Sequence, residues 1–435
     1  MRRYSHTIHG RTVSFFKGVH VAERKRTEMK RLFQVENSNA KMRTDYDHLL
    51  KLVREAGMDY KWAAMFVKKL EEDEKQYLVD DETKKWALEK GFYPGRVELY
   101  GLTEENYRYY MPDYSYFMVH PLNHHFRKWL DKLTLKYVLN SNGCENSMPD
   151  YYLYVENNGN YTYLMDFPET IIQDKNVIFN LLKEKRVLAI KPNSGTSGGR
   201  GFMKVEWDDG RIRINNEDIS YDSFEQIIGN IGNNIVTEYC KQHHELSDIW
   251  PESECTLRVT MVKIPYDNIW DKASWHNIVS LARFGSSISG GASNMSSGGI
   301  GVGFDFETGK CKDFGLRFKR FSPDGDIFCS EHPDSKKKWK NLTLPNWLEV
   351  KQQIFKICQQ ISSLDYLGLD LIITENGAKI CEINSHPAID DDQIMCHPVF
   401  LDDEKAYAFF EYHGLFNVDN TQFYKMYADS QIENV

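Results

Sequence analysis

The sequence predicts an α+β protein of two or three packed subdomains, with a mainly helical amino-terminal region. Three observations carry this expectation. The chain has 435 residues, more than one compact core usually holds. Residues 1–115 are charged and place apolar side chains at helical spacing, whereas from about Phe117 short β-branched runs alternate with amphipathic stretches. Late in the chain, Leu369–Asn384 sets two apolar runs around Asn376–Gly377, a hairpin signal. The boundaries expected are 1–115 for the helical region, 116–240 for the first subdomain and 241–435 for the second.

Composition narrows the function classes. Hydrophobic residues at 41% and charged residues at 27% fit a globular chain rather than a disordered one. A net charge of -9 argues against nucleic acid or an anionic membrane as the main partner, while leaving room for a local basic site. No stretch approaches the roughly 20 apolar residues of a membrane span. Met1–Gly18 is polar and basic and lacks the apolar core of a secretory signal. The eight cysteines contain no CxxC pair, so free buried thiols and a cytoplasmic location are expected.

Element by element, Tyr46, Leu49, Leu50 and Val53 mark a first helix that stops near Gly57. A second starts near Asp59 and carries Trp62, Met65, Phe66 and Leu70. With no polar constellation, this region reads as a helical packing domain; partner docking or substrate capping is the alternative. A helix ending at Lys183–Arg186 precedes the strand Val187–Ile190, and one over Phe224–Ile228 precedes the strand Asn234–Tyr239. Thr256–Ile264 and Asn277–Phe284 read as strands, and Trp347–Ile361 as a helix. The final residues are expected to fray.

The first motif with chemical content is Lys191-Pro192-Asn193-Ser194-Gly195-Thr196-Ser197-Gly198-Gly199-Arg200-Gly201. A strand delivers Lys191, and the glycines let backbone N–H groups approach phosphate oxygens without side-chain obstruction. It is not a Walker A loop, because the lysine precedes the glycines, nor a dinucleotide fingerprint, because a strand (Phe202–Glu206) follows rather than a helix.

The second is the Leu369–Asn384 hairpin, where register decides the chemistry. A two-residue Asn376–Gly377 turn pairs Leu371 with Glu382. A three-residue loop, Glu375-Asn376-Gly377 with Gly377 left-handed, pairs Asp370 with Glu382 and puts Asn384 on the same face. Leu369, Leu371, Ile373, Cys381 and Ile383 then line the other face. Three oxygen-bearing side chains on an apolar hairpin suit Mg²⁺, which takes hard oxygen ligands, and the three-residue loop is the expectation.

Arg258 and Arg283 lie within apolar strand runs, where an unpaired guanidinium is costly, so each expects a phosphate or carboxylate partner. Gly290–Gly301 is a run of small polar residues suited to a loop near substrate.

These motifs, in this order, resemble the ATP-grasp superfamily, over about Asn123–Pro387. The resemblance implies ATP held between two α+β subdomains and a Mg²⁺ site at Asp370, Glu382 and Asn384. Lys132 and Lys191 would contact the nucleotide phosphates, and Ser194 to Gly201, with Gly195, Thr196, Ser197, Gly198 and Gly199, would cover them. In the hinge Thr237-Glu238-Tyr239-Cys240, the Glu238 and Cys240 backbone would face the adenine edge, and Glu245 or Asp248 would bind the ribose. Lys191, Arg258 and Arg283 would serve catalysis. Leu122-Asn123, Asp131-Lys132, Thr256-Leu257-Arg258-Val259-Thr260 and Ser296–Ile300 look most like the sugar-transfer-associated bacterial branch, linked to decorating cell-surface polysaccharides with amino acids. Cys255 and Ala292-Ser293-Asn294 depart from that branch.

The activity so implied is an ATP- and Mg²⁺-dependent carboxylate–amine ligase working through an acyl phosphate, with an amino acid and a sugar as partners. The alternatives are a kinase of the same fold acting on a small-molecule or sugar hydroxyl, and a non-catalytic nucleotide-binding protein. His243, His244 and His386 are further proton acceptors to place.

Overall fold

The structure, a computed structural model, describes residues 5–8, 11–14, 42–123, 131–140, 143–194, 201–264, 274–322, 325–361 and 363–433. They form two compact units. One comprises Met1–Thr103, Pro112–Phe117 and Asp419–Val435; the other comprises Glu104–Met111 and Met118–Val418.

In the first unit the helices Tyr46–Glu55, Tyr60–Gln76 and Asp81–Glu89 each begin at an aspartate. Asp45, Asp59 and Asp80 accept from His48 N, Lys61 N and Thr83 N, satisfying amides that have no partner inside the helix. Trp62, Phe66 and Leu70 turn inward as their spacing predicts, but Met65 is 38% exposed, one position off the buried stripe. The helix Thr421–Asp429 supplies Phe423, whose ring lies 4.9 Å from Phe66 and 5.6 Å from Tyr114. The carboxyl end, expected to fray, instead pairs Gln431–Glu433 with Met42–Thr44.

The second unit contains two seven-stranded antiparallel sheets. The first orders its strands Tyr161–Tyr163, Tyr151–Val155, Asn234–Glu238, Val187–Pro192, Met203–Asp208, Arg211–Ile214 and Glu217–Ile219. Helices Val177–Lys185 and Tyr221–Gly229 bury Leu181, Leu182, Phe224 and Ile228 with its Leu188, Ile190 and Val236. The second runs Phe328–Cys329, Gly315–Leu316, Ile300–Gly303, Trp275–Phe284, Thr256–Lys263, Tyr366–Thr374 and Gly377–Asn384. Helix Trp347–Gln360 closes one face, packing Val350, Ile354 and Ile357 into a core with Leu257, Val259, Leu369, Leu371 and Ile383.

The hairpin keeps the expected pairing by a different route. Asp370 faces Glu382 and Gly377 has φ +105°, but Thr374 pairs with Gly377, so the turn is the two residues Glu375–Asn376. The odd residue is taken up lower down, where the register shifts between Asp370 and Leu371 and leaves Cys381 as a bulge. Tertiary partners impose this phase. Gln353 bonds both the N–H and C=O of Ala378 (3.0 and 2.7 Å), and Ile380 N–H donates to Ser147 O at 2.7 Å. These edge contacts align Ala378 and Ile380 before the bulge resets the face. Cys381 consequently leaves the core face, where Ile380 and Ala378 take its place. All eight cysteines are free, five of them buried.

Candidate functional site

The opposite face of the second sheet carries a polar row that follows from register. Arg258 is directly opposite Asp370 on the next strand, and Asp370 is opposite Glu382 on the one after. Thr256, two residues from Arg258 and on its face, is opposite Arg283. Strand alternation thus collects two guanidiniums and two carboxylates from four neighbouring strands on one surface.

This surface forms one wall of a cavity of about 380 Å³. The first sheet contributes Ala189, Lys191 and the hinge residues Glu238, Tyr239 and Cys240, and the helix Lys132–Leu139 contributes Lys132. Gly291, Ala292, Ser293 and Asn294 close another side, held by a 2.7 Å bond between Thr256 and Ser293 hydroxyls. The structure therefore brings together Lys132, Lys191, Glu238, Tyr239, Cys240, Arg258, Arg283, Asp370, Glu382 and Asn384.

Asp370 is the hub. Arg258 donates to it twice, Nε to Oδ1 at 2.7 Å and Nη2 to Oδ2 at 2.9 Å. Arg283 Nη2 donates to Oδ1 at 2.8 Å, and Asn384 Nδ2 to Oδ2 at 3.1 Å. Burial pushes the Asp370 carboxyl up, but the two arginines outweigh it and hold the group below the usual carboxylate range. Burial also acts against the Arg258 charge, and Asp370 more than offsets it, leaving Arg258 raised. Arg283, with one bond to Asp370 and a buried Nε that finds no partner among the described residues, stays lowered by burial.

Glu382 accepts no hydrogen bond from the described residues. Burial, then the Asp370 charge, raises its pKa, and Lys132 and Arg258 oppose the shift. Lys132 is 9% exposed; burial lowers its amine, Glu382 counteracts this and Lys191 adds to it. Lys132, Lys191 and Glu382 thus form a second charged group beside the Asp370 quartet.

The donor set bears on a cation. An ionised Glu382 and the carbonyl oxygen of Asn384, whose amide already donates to Asp370, are hard oxygen ligands of the kind Mg²⁺ takes. Asp370 fits less well than expected, because its four accepted hydrogen bonds spend the lone pairs of both oxygens.

Four other expectations fare differently. Gly195, Thr196, Ser197, Gly198, Gly199 and Arg200 lie outside the described residues; Ser194 is described but does not line the cavity. The Glu238 N–H is spent on Asp150 O at 2.8 Å, so of the two hinge residues only Cys240 keeps its backbone N–H and C=O without partners among the described residues. Glu245 and Asp248 are exposed and away from the cavity, because the chain turns into the short helix His244–Ser247 directly after the hinge. His243 and His244 point to Glu375 (3.3 and 3.0 Å), latching the hairpin turn rather than facing the cavity.

Sequence reasoning passed over Glu254. It lines the cavity and accepts from Tyr239 OH at 2.7 Å and Gln242 N at 2.6 Å, with burial raising its pKa. Its place beside Cys255-Thr256 at the start of an apolar strand was the available signal. Cys381, moved by the bulge, also lines the cavity, with burial pushing its thiol up to about 11.

The pattern of the sugar-transfer associated ATP-grasp family matches residues 121–405. The chain belongs to this family. Solved structures with a similar fold include the ADP complex of PurK, N5-carboxyaminoimidazole ribonucleotide synthetase, at 8% identity over 60% of this chain and 46% of that one, with a TM-score of 0.33. D-alanine–D-alanine ligase from Bacillus anthracis complexed with ATP matches at 14% identity over 70% and 66% of the two chains, TM-score 0.30. The ATP-grasp ligase PsnB with its minimal precursor matches at 11% over 65% and 59%, TM-score 0.31. This chain spans about half to two-thirds of the length of these structures. No curated protein matches the sequence. Among the described residues no helix is long and apolar enough to cross a membrane.

Proposed function

We propose that this ATP-grasp chain is an ATP- and Mg²⁺-dependent carboxylate–amine ligase, joining an amino acid to a sugar or polysaccharide precursor through an acyl phosphate. The observation that carries the reading is charge. Lys132, Lys191, Arg258 and Arg283 line one cavity with Asp370, Glu382, Glu238 and Glu254; both arginines are engaged by Asp370, while Lys132 and Lys191 stand together near Glu382. The two lysines give the ATP phosphates a counter-charge, and Mg²⁺ beside Glu382 would offset more of the phosphate charge.

The unpaired Cys240 backbone offers one donor and one acceptor to the edge of a base, and Glu254 offers carboxylate oxygens for ribose hydroxyls. Lys132 and Lys191 neutralise phosphate charge as the γ-phosphoryl moves to the carboxylate substrate. Arg283, with its unpartnered Nε, orients that carboxylate, and Arg258 keeps Asp370 in place. Mg²⁺, held by Glu382 and Asn384, would supply charge compensation between phosphate oxygens. Enclosure by the Gly291–Asn294 segment limits water, which would hydrolyse the acyl phosphate before the amine attacks.

The test is trapping. With ATP, Mg²⁺ and a panel of amino acids and uronic acids, hydroxylamine should yield a hydroxamate from the true carboxylate substrate, and Lys191→Ala should suppress it. A stable phosphorylated product with no hydroxamate would assign the chain to phosphoryl transfer onto a hydroxyl instead.

A further inference from the structure

Lys132 and Lys191 reach the cavity from two elements far apart in sequence. Lys191 is near the end of the strand Val187–Pro192, and Lys132 is the first residue of the helix Lys132–Leu139. Their ammonium groups repel, as the lowering of Lys132 by Lys191 records. Something must fix the helix start against the strand end, and the contacts of one residue do so.

Asn193 follows the Lys191 strand and is 5% exposed, burial that an asparagine tolerates only with its polar groups paired. Every one of them is paired. Its N–H donates to Asn233 O at 2.9 Å, and its C=O accepts from Lys132 N at 3.3 Å. Its Oδ1 accepts from Leu133 N at 3.0 Å, and its Nδ2 donates to Asp131 Oδ2 at 2.6 Å. Lys132 N and Leu133 N are two of the first-turn amides that a helix cannot satisfy internally. The third, Thr134 N, is capped at 2.8 Å by the other oxygen of Asp131. The helix that carries Lys132 is therefore capped jointly, by its own Asp131 and by a residue two positions beyond Lys191.

We propose that Asn193, paired with Asp131, is a positioning residue that sets Lys132 and Lys191 side by side toward the nucleotide phosphates. This rests on the nucleotide reading above. An ordinary cap would only stabilise the helix. Here the capping acceptors come from the residue directly after the strand that bears the partner lysine, so helix stability and lysine spacing are one constraint.

The pairing makes a swap possible. Asn193→Asp alone sets two carboxylates in contact. Adding Asp131→Asn restores a donor and an acceptor with their positions exchanged: residue 131 still caps Thr134 N, residue 193 still accepts from Leu133 N, and the net charge is unchanged from the unaltered protein. MgATP affinity is read by calorimetry on the full chain, with thermal unfolding alongside. The expected result is an affinity loss of about tenfold for Asn193→Asp, and recovery to within about threefold in the swapped pair, tenfold being about 1.4 kcal/mol. In a Lys132→Ala background, Asn193→Ala should weaken binding less than it does in the unaltered protein, since one of the two lysines it positions is gone. If Asn193→Asp fails to fold, Asn193→Ala and the swapped pair carry the same comparison. An affinity unchanged by Asn193→Asp or Asn193→Ala overturns the inference and leaves the nucleotide reading standing, as does an equal loss with and without Lys132. Absence of MgATP binding by the unaltered protein overturns both.

Discussion

Replacing Asp370 by alanine should destabilise the second unit far more than removal of one surface carboxylate. The substitution deletes the acceptor of four hydrogen bonds and leaves Arg258 and Arg283 facing each other, with side chains 16% and 12% exposed. Breaking a buried ion pair by removing one partner costs about 3–5 kcal/mol. The arginines border a cavity that admits water, so we place the expected loss near the lower end, about 3 kcal/mol. That is large against a typical total of about 5–15 kcal/mol, yet compatible with folding. Asp370→Asn, which keeps one carbonyl acceptor, should lose less. The pH dependence has a definite sign: the folded-state pKa of Asp370 is depressed, so its contribution is present above the unfolded carboxylate pKa and is lost as pH falls through the folded value. Urea titration followed by tryptophan fluorescence measures the change in midpoint at unchanged slope. A loss below about 1 kcal/mol for Asp370→Ala would refute the reasoning, because the arginines would then be solvated rather than held by Asp370.

Glu382→Gln should abolish turnover while leaving unfolding unchanged, since the side chain faces the cavity and its removal of charge opens no void; activity within about threefold at saturating Mg²⁺ would exclude Glu382 as a ligand. Asp73 in the first unit is 7% exposed, and burial raises its pKa to about 6, against opposing Arg96 and Gly95 N. Folding therefore favours its protonated form, and stability should fall as pH rises from about 4 through about 6, by roughly 3 kcal/mol. Asp73→Asn, which still accepts from Gly95 N, should flatten that slope in thermal unfolding at pH 4.5 and 7. Gly377→Ala should cost about 1 kcal/mol by chemical denaturation, through its φ of +105° rather than a clash, the nearest atom to an added Cβ being Gln353 Oε1 at 3.4 Å.

Local patterns were enough for the main element types and for the presence of a charged site. Alternation over Thr256–Lys263 and Tyr366–Asn384 places Arg258, Asp370 and Glu382 away from Leu257, Leu371 and Ile383, because period two is a property of the strand itself. The helix start near Asp59, which caps it, was legible for a similarly local reason. What sequence could not supply were contacts between distant segments. The turn at Glu375–Asn376 and the bulge at Cys381 depend on Gln353 and Ser147, which lie on other elements. That Glu254 and not Glu245 lines the cavity depends on the chain coiling into His244–Ser247 after the hinge. The engagement of Asp370 by two arginines required strand order, since Arg258 and Arg283 arrive on the two successive strands beyond the hairpin. Along Thr256–Lys263 and Tyr366–Thr374 the sequence determined which side chains share a face, because that is set by backbone geometry within an unbulged strand. Which partner each side chain meets was decided by the tertiary fold, because pairing energies arise only between elements that the chain brings together.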